Sequence, residues 1–317
     1  MSFTAEYPSL PAYIIGITDR IWEGRGLGLI RTWYANDCVM HTAFGDSRGV
    51  DGVVAGTAET LHAFPDRRLL GEDVIFSGGT DGGGYSSHRI ISTMHHRGAG
   101  SFGAPTDRPV AARTIADCLI RDGIIVEEWL VRDQAAIALQ LGIDPADWGR
   151  ARAQILAVED QALPDPALIT HQAASIPDDA GGQMAQFMQR LWNHADLGQI
   201  PAACDPAINL HLPRGEIAFG HDGLDGWVLS YLAAFPDAAF TVENIITRTD
   251  PDRPTRVALR WRLAATHSGR GAFGAPSGAR LHIPGISHFE LVGGKVSRAF
   301  MLVDELAIWT AIGLCLG

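Results

Sequence analysis

The sequence predicts an α+β protein made of two tandem domains, each with helices packed on a curved antiparallel sheet. Two observations lead to this fold class. In each half of the chain the helical patterns come first and only strand patterns follow, which is the order expected of an α+β domain. The chain also repeats itself internally, and a repeat of domain length predicts two copies of one fold.

The internal repeat is indicated by two four-residue words, each of which recurs identically 171 residues later (237 − 66 and 276 − 105). The words are AFPD at 63–66 and 234–237, and FGAP at 102–105 and 273–276. Arg89 and Arg260 match at the same offset, and the offset changes by one upstream, where His41 matches His211. An offset that holds across a whole domain indicates duplication rather than chance.

The repeat also sets the expected domain boundaries. The first domain is expected at residues 1–142 and the second at 183–317, since the matching positions fall inside these ranges. Residues 143–182 contain several prolines and predict a linker that is helical in part, from Ala146 to Leu163.

The elements of the first domain follow from local signals, taken in order. Ser9 and Pro11 mark a helix start, and the apolar stripe of that helix is Ile14, Ile17 and Ile21. The next elements are predicted as a helical turn at Leu29–Tyr34, a strand at Cys38–Thr42, a helix at Asp51–Phe64 capped by its first residue, strands at Arg68–Ser77, Tyr85–Arg97, Val110–Ile120 and Ile124–Arg132, and a short helix that ends at Gly142. The second domain repeats this order.

The stretch from Ile120 to Gly142 contains the strongest candidate for catalysis. Asp122 and Gly123 separate two apolar runs, which predicts a hairpin, and the strand that follows ends at Asp133. Alternation along that strand puts one set of residues on a single face: Ile125, Glu127, Trp129, Val131 and Asp133. A carboxylate in such partly apolar surroundings has a raised pKa, which suits proton transfer near neutral pH. An Asp directly before a helix is equally typical of an N-cap, and the residues alone leave both interpretations open.

Composition argues against several classes of partner. The formal net charge of −11 argues against nucleic acid and anionic membrane surfaces, since both require basic patches. The four cysteines form neither a CxxC pair nor a zinc-binding spacing, so we interpret them as buried reduced thiols and expect a cytoplasmic protein. The N-terminal residues lack the pattern of a secretory signal, and no apolar run approaches the length of a membrane span.

No metal site and no organic cofactor are expected. His95 and His96 are adjacent on a predicted strand, where neighbouring side chains point to opposite faces and do not converge on one ion. No nucleotide-binding motif is present in the sequence.

Both faces of each predicted sheet carry apolar residues. On the second face of the strand at 124–132 and of its match in the second domain these are Ile124, Val126, Leu130, Ala299, Met301 and Val303. An apolar outer face needs a cover, and the other repeat can supply it, sheet against sheet. We therefore expect an intramolecular pseudo-dimer of the two domains, with further homodimerisation left open.

Eight further residues are candidates for contact with a small-molecule substrate. They are His41 and His211 on the first strand, His96 and His267 near the bend of the sheet, Arg89 and Arg260 in mid-strand, Trp129, and Phe102 in the FGAP loop. Each has a structural alternative: a hydrogen-bonded core histidine, an arginine paired with Glu72 or Glu243, a core aromatic, or a plain turn. For the arginines the functional alternative is stabilisation of an oxyanion in the pocket.

Taken together, these residues resemble a known family. The similarity to SnoaL-like polyketide cyclases lies in Leu191-Trp192-Asn193, Asp196-Leu197, His211, the AFPD word, Arg260-Trp261, Thr266-His267, Phe273-Gly274 and Asp304, and in the first copy in Glu128-Trp129, Asp133 and Gln140-Leu141-Gly142. The resemblance implies two cone-shaped domains of the nuclear transport factor 2-like superfamily. It also implies that Asp133 and Asp304 match the aspartate with which the cyclases perform acid/base catalysis of an intramolecular aldol closure, without metal or cofactor.

The leading expectation is a cofactor-independent cyclase, isomerase or lyase that acts on a small, mostly apolar carbonyl compound. Three alternatives stay open: a non-catalytic small-molecule binder, a structural pseudo-dimer with filled pockets, and a hydrolase or dehydratase that activates water. The copies differ where Glu127 matches Arg298 and Glu128 matches Ala299. Carboxylates crowd together in the first copy, which raises their pKa, so we favour that copy as the active one.

Overall fold

The computed structural model describes residues 3–79, 81–166, 169 and 172–317, so part of the expected linker lies outside the described residues. The chain forms two compact units, Met1–Ile143 and Asp144–Gly317. In each unit, the described residues include one six-stranded sheet and several helices. Among the described residues, no helix is both long and apolar enough to cross a membrane.

The first unit combines several helices with one six-stranded sheet. Its helices are α1 (Leu10–Trp22), α2 (Ile30–Trp33), α3 (Val50–Ala63) and α4 (Gln134–Leu141), and its strands are β1 (Tyr34–Thr42), β2 (Gly45–Arg48), β3 (Arg68–Gly78), β4 (Gly84–His95), β5 (Pro109–Arg121) and β6 (Ile124–Arg132). The strand order is β2-β1-β6-β5-β4-β3. All neighbours are antiparallel except β1 and β6, which are parallel. The expected α+β fold is confirmed, with β2 and the parallel pair as additions.

Local chemistry accounts for the first helix and the central hairpin. Ser9 Oγ accepts a hydrogen bond from the Ala12 N–H at 3.3 Å, and a proline in the first turn needs no hydrogen-bond acceptor there. Asp122 and Gly123 have φ angles of 51° and 73°, and two positive φ angles give the tight turn whose twist matches the flanking strands β5 and β6.

The core of the first unit lies between the helices and the inner face of the sheet. The predicted stripe of α1 is buried, with Ile14, Ile17 and Ile21 each less than 5% exposed. These side chains pack with Ile30, Val53 and other apolar residues of α2, α3 and the strands. Helices α1, α2 and α3 therefore cover one face of the sheet, as the amphipathic pattern predicts.

The second unit repeats the first. Its helices are α5 (Pro145–Val158), α6 (Ala180–His194), α7 (Ile200–Ala203), α8 (Gly220–Ala234) and α9 (Glu305–Leu316), and its strands are β7 (Cys204–His211), β8 (Ile217–Phe219), β9 (Ala239–Arg248), β10 (Thr255–Thr266), β11 (Arg280–Val292) and β12 (Lys295–Val303). The strand order β8-β7-β12-β11-β10-β9 has the same topology, again with one parallel pair, β7 and β12. The duplication predicted from the repeated words is confirmed.

Helix α5 falls within the expected linker and packs on α9. Two glycines allow the helices to approach closely. A Cβ on Gly149 would lie 2.5 Å from the backbone carbon of Trp309, and a Cβ on Gly313 would lie 2.9 Å from the Ala153 Cβ. The helical part of the linker thus belongs to the second unit.

One expectation about β6 is wrong because the strand contains a β-bulge. Ile120 pairs with Ile125, but Leu119 pairs with Glu127, so one residue of β6 is left over between these pairs. An extra residue reverses the alternation of the strand. Glu128 therefore faces the same side as Ile125, and Glu127 faces the opposite side.

Two smaller expectations are also wrong. Helix α3 begins at Val50, and Asp51 lies in its first turn without making the expected side-chain cap. Three of the cysteines are buried as expected, but Cys315 is exposed near the end of α9.

Candidate active site

A cavity opens inside the first unit, between the helices and the inner face of the sheet. Its volume is about 70 Å³. Roughly 10–15 Å³ of cavity volume is enough to hold one water. The cavity of the first unit therefore has room for several waters or a small organic group. Most of its lining is apolar. The polar and ionisable side chains that line it are Thr18, Tyr34, Thr57, Arg67, His88, Thr114, Cys118, Glu128 and Arg132.

Glu128 is the carboxylate of this lining, and it is only 7% exposed. The Tyr34 hydroxyl donates a hydrogen bond to Glu128 Oε2 at 2.7 Å. Burial raises the pKa of the Glu128 carboxyl, and the Tyr34 hydrogen bond and the charge of Arg132 offset part of that increase. Burial and the neighbouring carboxylate raise the pKa of Tyr34 well above its usual value, so the phenol keeps its proton and remains a donor.

Arg67 is a buried cation in the same lining, 6% exposed. Its Nε and Nη2 atoms donate to Ser92 Oγ at 3.1 and 2.9 Å, and its guanidinium lies 4.5 Å from the centre of the Trp22 ring. Burial, and then repulsion by Arg132, lower the pKa of Arg67 to about 9. The side chain is therefore held firmly but remains a cation at neutral pH.

His88 is a neutral group in this lining. It is 3% exposed, and burial lowers its pKa to about 4, because the charged imidazolium loses its hydration there. Its Nε2 has no hydrogen-bond partner among the described residues and lies against Gly71, where a Cβ would come within 3.1 Å of that nitrogen. The glycine thus leaves the space that the imidazole occupies.

The strand register arranges the inner-face residues in rows across β4, β5 and β6. The rows are Ser86, Cys118 and Glu128, then His88, Ala116 and Leu130, then Ile90, Thr114 and Arg132. Neighbouring strands lie ~4.8 Å apart and every second residue of a strand ~6.7 Å apart, so the Cα atoms of Glu128 and His88 are about 12 Å apart. Their side chains line the same cavity from two sides.

The same rows in the second unit are almost entirely apolar. They are Val257, Phe289 and Ala299, then Leu259, Ser287 and Met301, then Trp261, Gly285 and Val303. The carboxylate, the imidazole, the thiol and the guanidinium of the first set are all replaced. By the repeat offset, Arg67 matches Ala238.

Aromatic rings of the second unit occupy positions that line the cavity of the first. Trp261 matches Ile90 and lies across Gly285, where a Cβ would come within 2.3 Å of the indole. Its Nε1 donates to Ser287 Oγ at 2.9 Å. The rings of Phe240 and Trp192, which match Leu69 and Trp22, lie 5.2 and 6.4 Å from it. The glycine thus makes room for a ring where the first unit has Thr114.

The fold and its duplication agree with the family comparison. The model of the SnoaL-like polyketide cyclase family matches residues 12–141 and 182–312, which together make up most of the chain. The chain belongs to the SnoaL-like polyketide cyclase family. Each unit of this SnoaL-like chain is one copy of the family domain.

Solved structures similar to this SnoaL-like chain each correspond to less than half of it. IdmH, a putative polyketide cyclase from Streptomyces antibioticus, is 26% identical over 41% of this chain and 96% of its own, with a TM-score of 0.36. AclR, a putative hydroxylase from Streptomyces galilaeus, is 25% identical over 43% of this chain and 83% of its own, with a TM-score of 0.36. A putative SnoaL-like polyketide cyclase from Jannaschia sp. CCS1 is 20% identical over 44% of this chain and 98% of its own, with a TM-score of 0.37. No curated protein matches the chain.

The aspartates expected to be catalytic in this SnoaL-like chain both cap helices. Asp133 Oδ1 accepts from the Ala136 N–H at 3.1 Å, and Asp304 Oδ1 accepts from the Leu306 N–H at 3.1 Å. Asp133 is 2% exposed and is not part of the cavity lining described above. The capping interpretation is confirmed for both residues, and their catalytic role stays a prediction.

His41 and Trp129 lie together, away from the cavity. Their rings stack with centres 4.9 Å apart. The two nitrogens of His41 contact Asp46 Oδ1 and Glu127 Oε1, each at 2.8 Å. In the second unit His211 stacks on Phe300 with centres 4.4 Å apart. These side chains belong to the sheet face opposite the cavity, since their strand neighbours Met40 and Glu128 line it.

His96 and His267 support the loop after their strands. Both are fully buried, and their Nδ1 atoms contact Thr106 Oγ1 at 3.3 Å and Ser277 Oγ at 3.1 Å. Burial lowers the pKa of both histidines. Phe102 is 8% exposed and packs edge-on against Phe64, with ring centres 6.2 Å apart.

The expected ion pairs of the two mid-strand arginines are confirmed. Arg89 Nε lies 3.2 Å from Glu72 Oε2, and Arg260 Nε lies 3.4 Å from Glu243 Oε2. None of the ten residues selected from the sequence is part of the cavity lining described above.

Sequence reasoning missed the ionisable groups that line the cavity: Tyr34, Arg67, His88, Glu128 and Arg132. Glu128 was assigned to the other face because the bulge in β6 has no clear sequence signal. A usable signal was present in the repeat itself, since each of these positions is apolar or cysteine in the second copy. In the part of the chain that the structure describes, no three His, Cys, Asp or Glu residues are grouped as metal ligands.

Proposed function

We propose that the first unit is a cofactor-independent acid/base catalyst that enolises a small carbonyl compound, as a cyclase, isomerase or lyase does. The observation that carries the proposal is Glu128, a buried carboxylate with a raised pKa that is held by Tyr34 inside a mostly apolar cavity. Membership of the cyclase family supports the same class of chemistry.

In the first step, the Glu128 carboxylate takes a proton from a carbon next to a carbonyl group. The electron pair of the C–H bond forms a carbon–carbon double bond, and the carbonyl π pair moves to oxygen, which gives an enolate. A raised pKa makes Glu128 a stronger base than an ordinary carboxylate. The Tyr34 hydrogen bond fixes the direction in which the carboxylate points.

The enolate needs a positive charge near its oxygen, and Arg132 supplies one. This arginine lines the cavity and is close enough to Glu128 to lower the pKa of the carboxyl. In an apolar cavity, a fixed charge stabilises a developing oxyanion more strongly than it would in water. His88 is neutral at the same pH and does not compete for this role as a cation.

In the second step, the proton on Glu128 is returned. A cyclase forms a bond between the enolate carbon and a second carbonyl of the same molecule, and the new alkoxide takes the proton. An isomerase returns the proton to a different carbon. In both cases Glu128 ends as a carboxylate and no further reactant is consumed.

For the second unit we propose a structural role. Its matching rows carry neither a carboxylate nor a guanidinium, and Trp261 fills the space beside Gly285. In the intramolecular pseudo-dimer expected from the sequence, the second unit would cover the outer sheet face of the first. This arrangement stays a prediction.

The experiment is solvent deuterium exchange. The full chain is incubated in D₂O with a panel of open-chain and cyclic ketones, keto esters and keto acids, and deuterium at the alpha carbons is followed by NMR. Exchange above background is expected, and Glu128→Gln is expected to lower its rate by roughly 10²–10⁴-fold, the usual contribution of a positioned acid/base group.

Asp133→Asn and Asp304→Asn are the matched controls, since each also turns one buried carboxylate into an amide. If either abolishes exchange while Glu128→Gln leaves it intact, the aspartate predicted from the family is the base and the assignment of Glu128 is wrong. The absence of Glu128-dependent exchange across the whole panel would contradict the proposed chemistry.

A further inference from the structure

Arg67 carries a positive charge that the first unit does not neutralise locally. Its guanidinium is bound by the neutral Ser92 hydroxyl and stacks on the Trp22 ring. Within the part of the chain that the structure describes, no carboxylate forms an ion pair with it, and none contributes to its pKa. Isolated buried cations are costly, and buried charges in proteins are normally paired.

The balance of charge in the cavity lining is positive. Arg67 and Arg132 are the cations, Glu128 is the only carboxylate in the described lining, and His88 is neutral near pH 7. This positive cavity occurs in a chain whose formal net charge is −11. Because Arg132 acts on Glu128, Arg67 is the charge that remains to be balanced.

The second unit supports a functional reason for this arginine. Ala238 stands at the position of Arg67, whereas Trp192 retains the ring of Trp22, and the matching helix and sheet pack together without the cation. The fold therefore does not require a cation here. Burial, and then repulsion by the Arg132 guanidinium, lower the pKa of Arg67, and an anion beside Arg67 would offset both effects.

We infer that the substrate of this cavity is an apolar carbonyl compound that carries a carboxylate, and that the carboxylate binds the Arg67 guanidinium while the acidic carbon lies at Glu128. The planar guanidinium suits a carboxylate, which accepts two parallel hydrogen bonds from it. Apolar side chains such as Ile17 and Ile90 line the same cavity and suit the apolar part of such a compound. The inference rests on the proposed function for the role of Glu128, but the anion site stands on Arg67 alone.

The test compares acids with their methyl esters. The probes are straight-chain methyl-ketone carboxylates from 4-oxopentanoate to 9-oxodecanoate, each paired with its ester, and binding to the full chain is measured by calorimetry. The best acid is expected to bind at least about tenfold more tightly than its ester, since a charge-assisted hydrogen bond contributes on this scale. Arg67→Met is expected to remove that preference, and Arg67→Lys to retain part of it.

Arg121→Met is the matched control, because Arg121 is exposed at the end of β5 and lies outside the cavity lining. It should keep the full preference for the acid. Circular dichroism checks that Arg67→Met is folded, and if it is not, the reduced preference of Arg67→Lys decides. Equal binding of acid and ester to the unaltered protein, or an unchanged preference in the Arg67 variants, would overturn the inference.

The two proposals fail in different ways. If the esters exchange deuterium in a Glu128-dependent manner but the acids bind no better, the enolising function stands and the anion site is wrong. If the acids are preferred through Arg67 but no exchange depends on Glu128, the anion site stands and the chemistry is wrong. The length of the acid that exchanges fastest reports the distance between the two ends.

Discussion

The two units share one strand topology, but their interiors differ: the first contains a polar cavity and the second is packed with apolar and aromatic side chains. In the first, the row across β4, β5 and β6 ends in Glu128, which is hydrogen-bonded to Tyr34 beside a cavity. In the second, the matching row ends in Ala299, and Trp261 fills the space two rows along. One backbone therefore supports either a polar cavity or a core rich in aromatic side chains, and the side chains on its inner face decide between them.

Comparison of the two units distinguishes residues that are identical in both copies from residues that differ between them. The shared pairs make the same structural contacts in both units: the caps at Asp133 and Asp304, the loop contacts of His96 and His267, and the ion pairs of Arg89 and Arg260. The polar cavity groups occur in the first unit alone. In a duplicated chain, identity between copies reports mainly what the fold needs.

The largest effect is expected from opening the second core. Trp261→Ala should lower the free energy of unfolding by about 3–5 kcal/mol, because it removes a fully buried ring and leaves a cavity. Urea unfolding of the full chain measures it, with a separate transition for each unit if they unfold independently. The matched Ile90→Ala should cost less, about 2 kcal/mol, since a cavity already lies beside Ile90. Equal losses would show that the two interiors are packed alike.

The next effect concerns pH. The pKa of His88 is about 4 in the folded chain and about 6.5 when unfolded, so between these values the unfolded state binds a proton that the folded state does not. Stability should therefore fall as pH drops from 6.5 towards 4, by about 3 kcal/mol from this residue. His88→Leu, which introduces the residue of the second unit, should remove that part of the decline.

Urea unfolding at several pH values between 7 and 4 checks this prediction. The exposed His62→Leu serves as the control and should follow the unaltered protein. If the stability of His88→Leu declines as steeply as that of the unaltered protein, His88 does not resist protonation in the folded state.

Tyr34→Phe should have a somewhat smaller effect. It leaves the buried Glu128 carboxylate without its donor, and hydrogen bonds to charged groups contribute roughly 1.5–3 kcal/mol. The loss should be larger at high pH, where Glu128 is ionised, than at low pH, where it is protonated. Without the donor, the pKa of Glu128 rises, so the acid limb of any pH–rate profile should move to higher pH. A limb that stays in place would argue against Glu128 as the base.

The smallest effect is expected at the shared caps. Asp133→Ala and Asp304→Ala should each cost about 1 kcal/mol, the usual value of an N-cap, and Asn at either position should cost less because its amide oxygen still accepts the bond. Thermal unfolding of the four variants compares the two units directly. A much larger loss at Asp133 than at Asp304 would show that the two caps are not equivalent.

The fold could be predicted from the sequence because local and repeated residue patterns indicate its elements. The stripe of Ile14, Ile17 and Ile21 predicts a buried helix face, and Asp122-Gly123 predicts the hairpin that brings β5 and β6 together. The constant offset between AFPD words predicts the second domain. Each signal depends on neighbours in the chain or on a copy of itself, so no tertiary contact is needed to detect it.

The candidate site could not be predicted from the sequence in this way. A single extra residue in β6 moves Glu128 to the cavity and Glu127 away from it, and alternation read from the sequence cannot place such a bulge. Arg67, His88 and Glu128 lie on or beside different strands that meet only when the sheet forms. The sequence by itself determined the duplicated α+β architecture, whereas only the tertiary structure decided which of the two interiors is a polar cavity, because burial and convergence of side chains are properties of the folded chain.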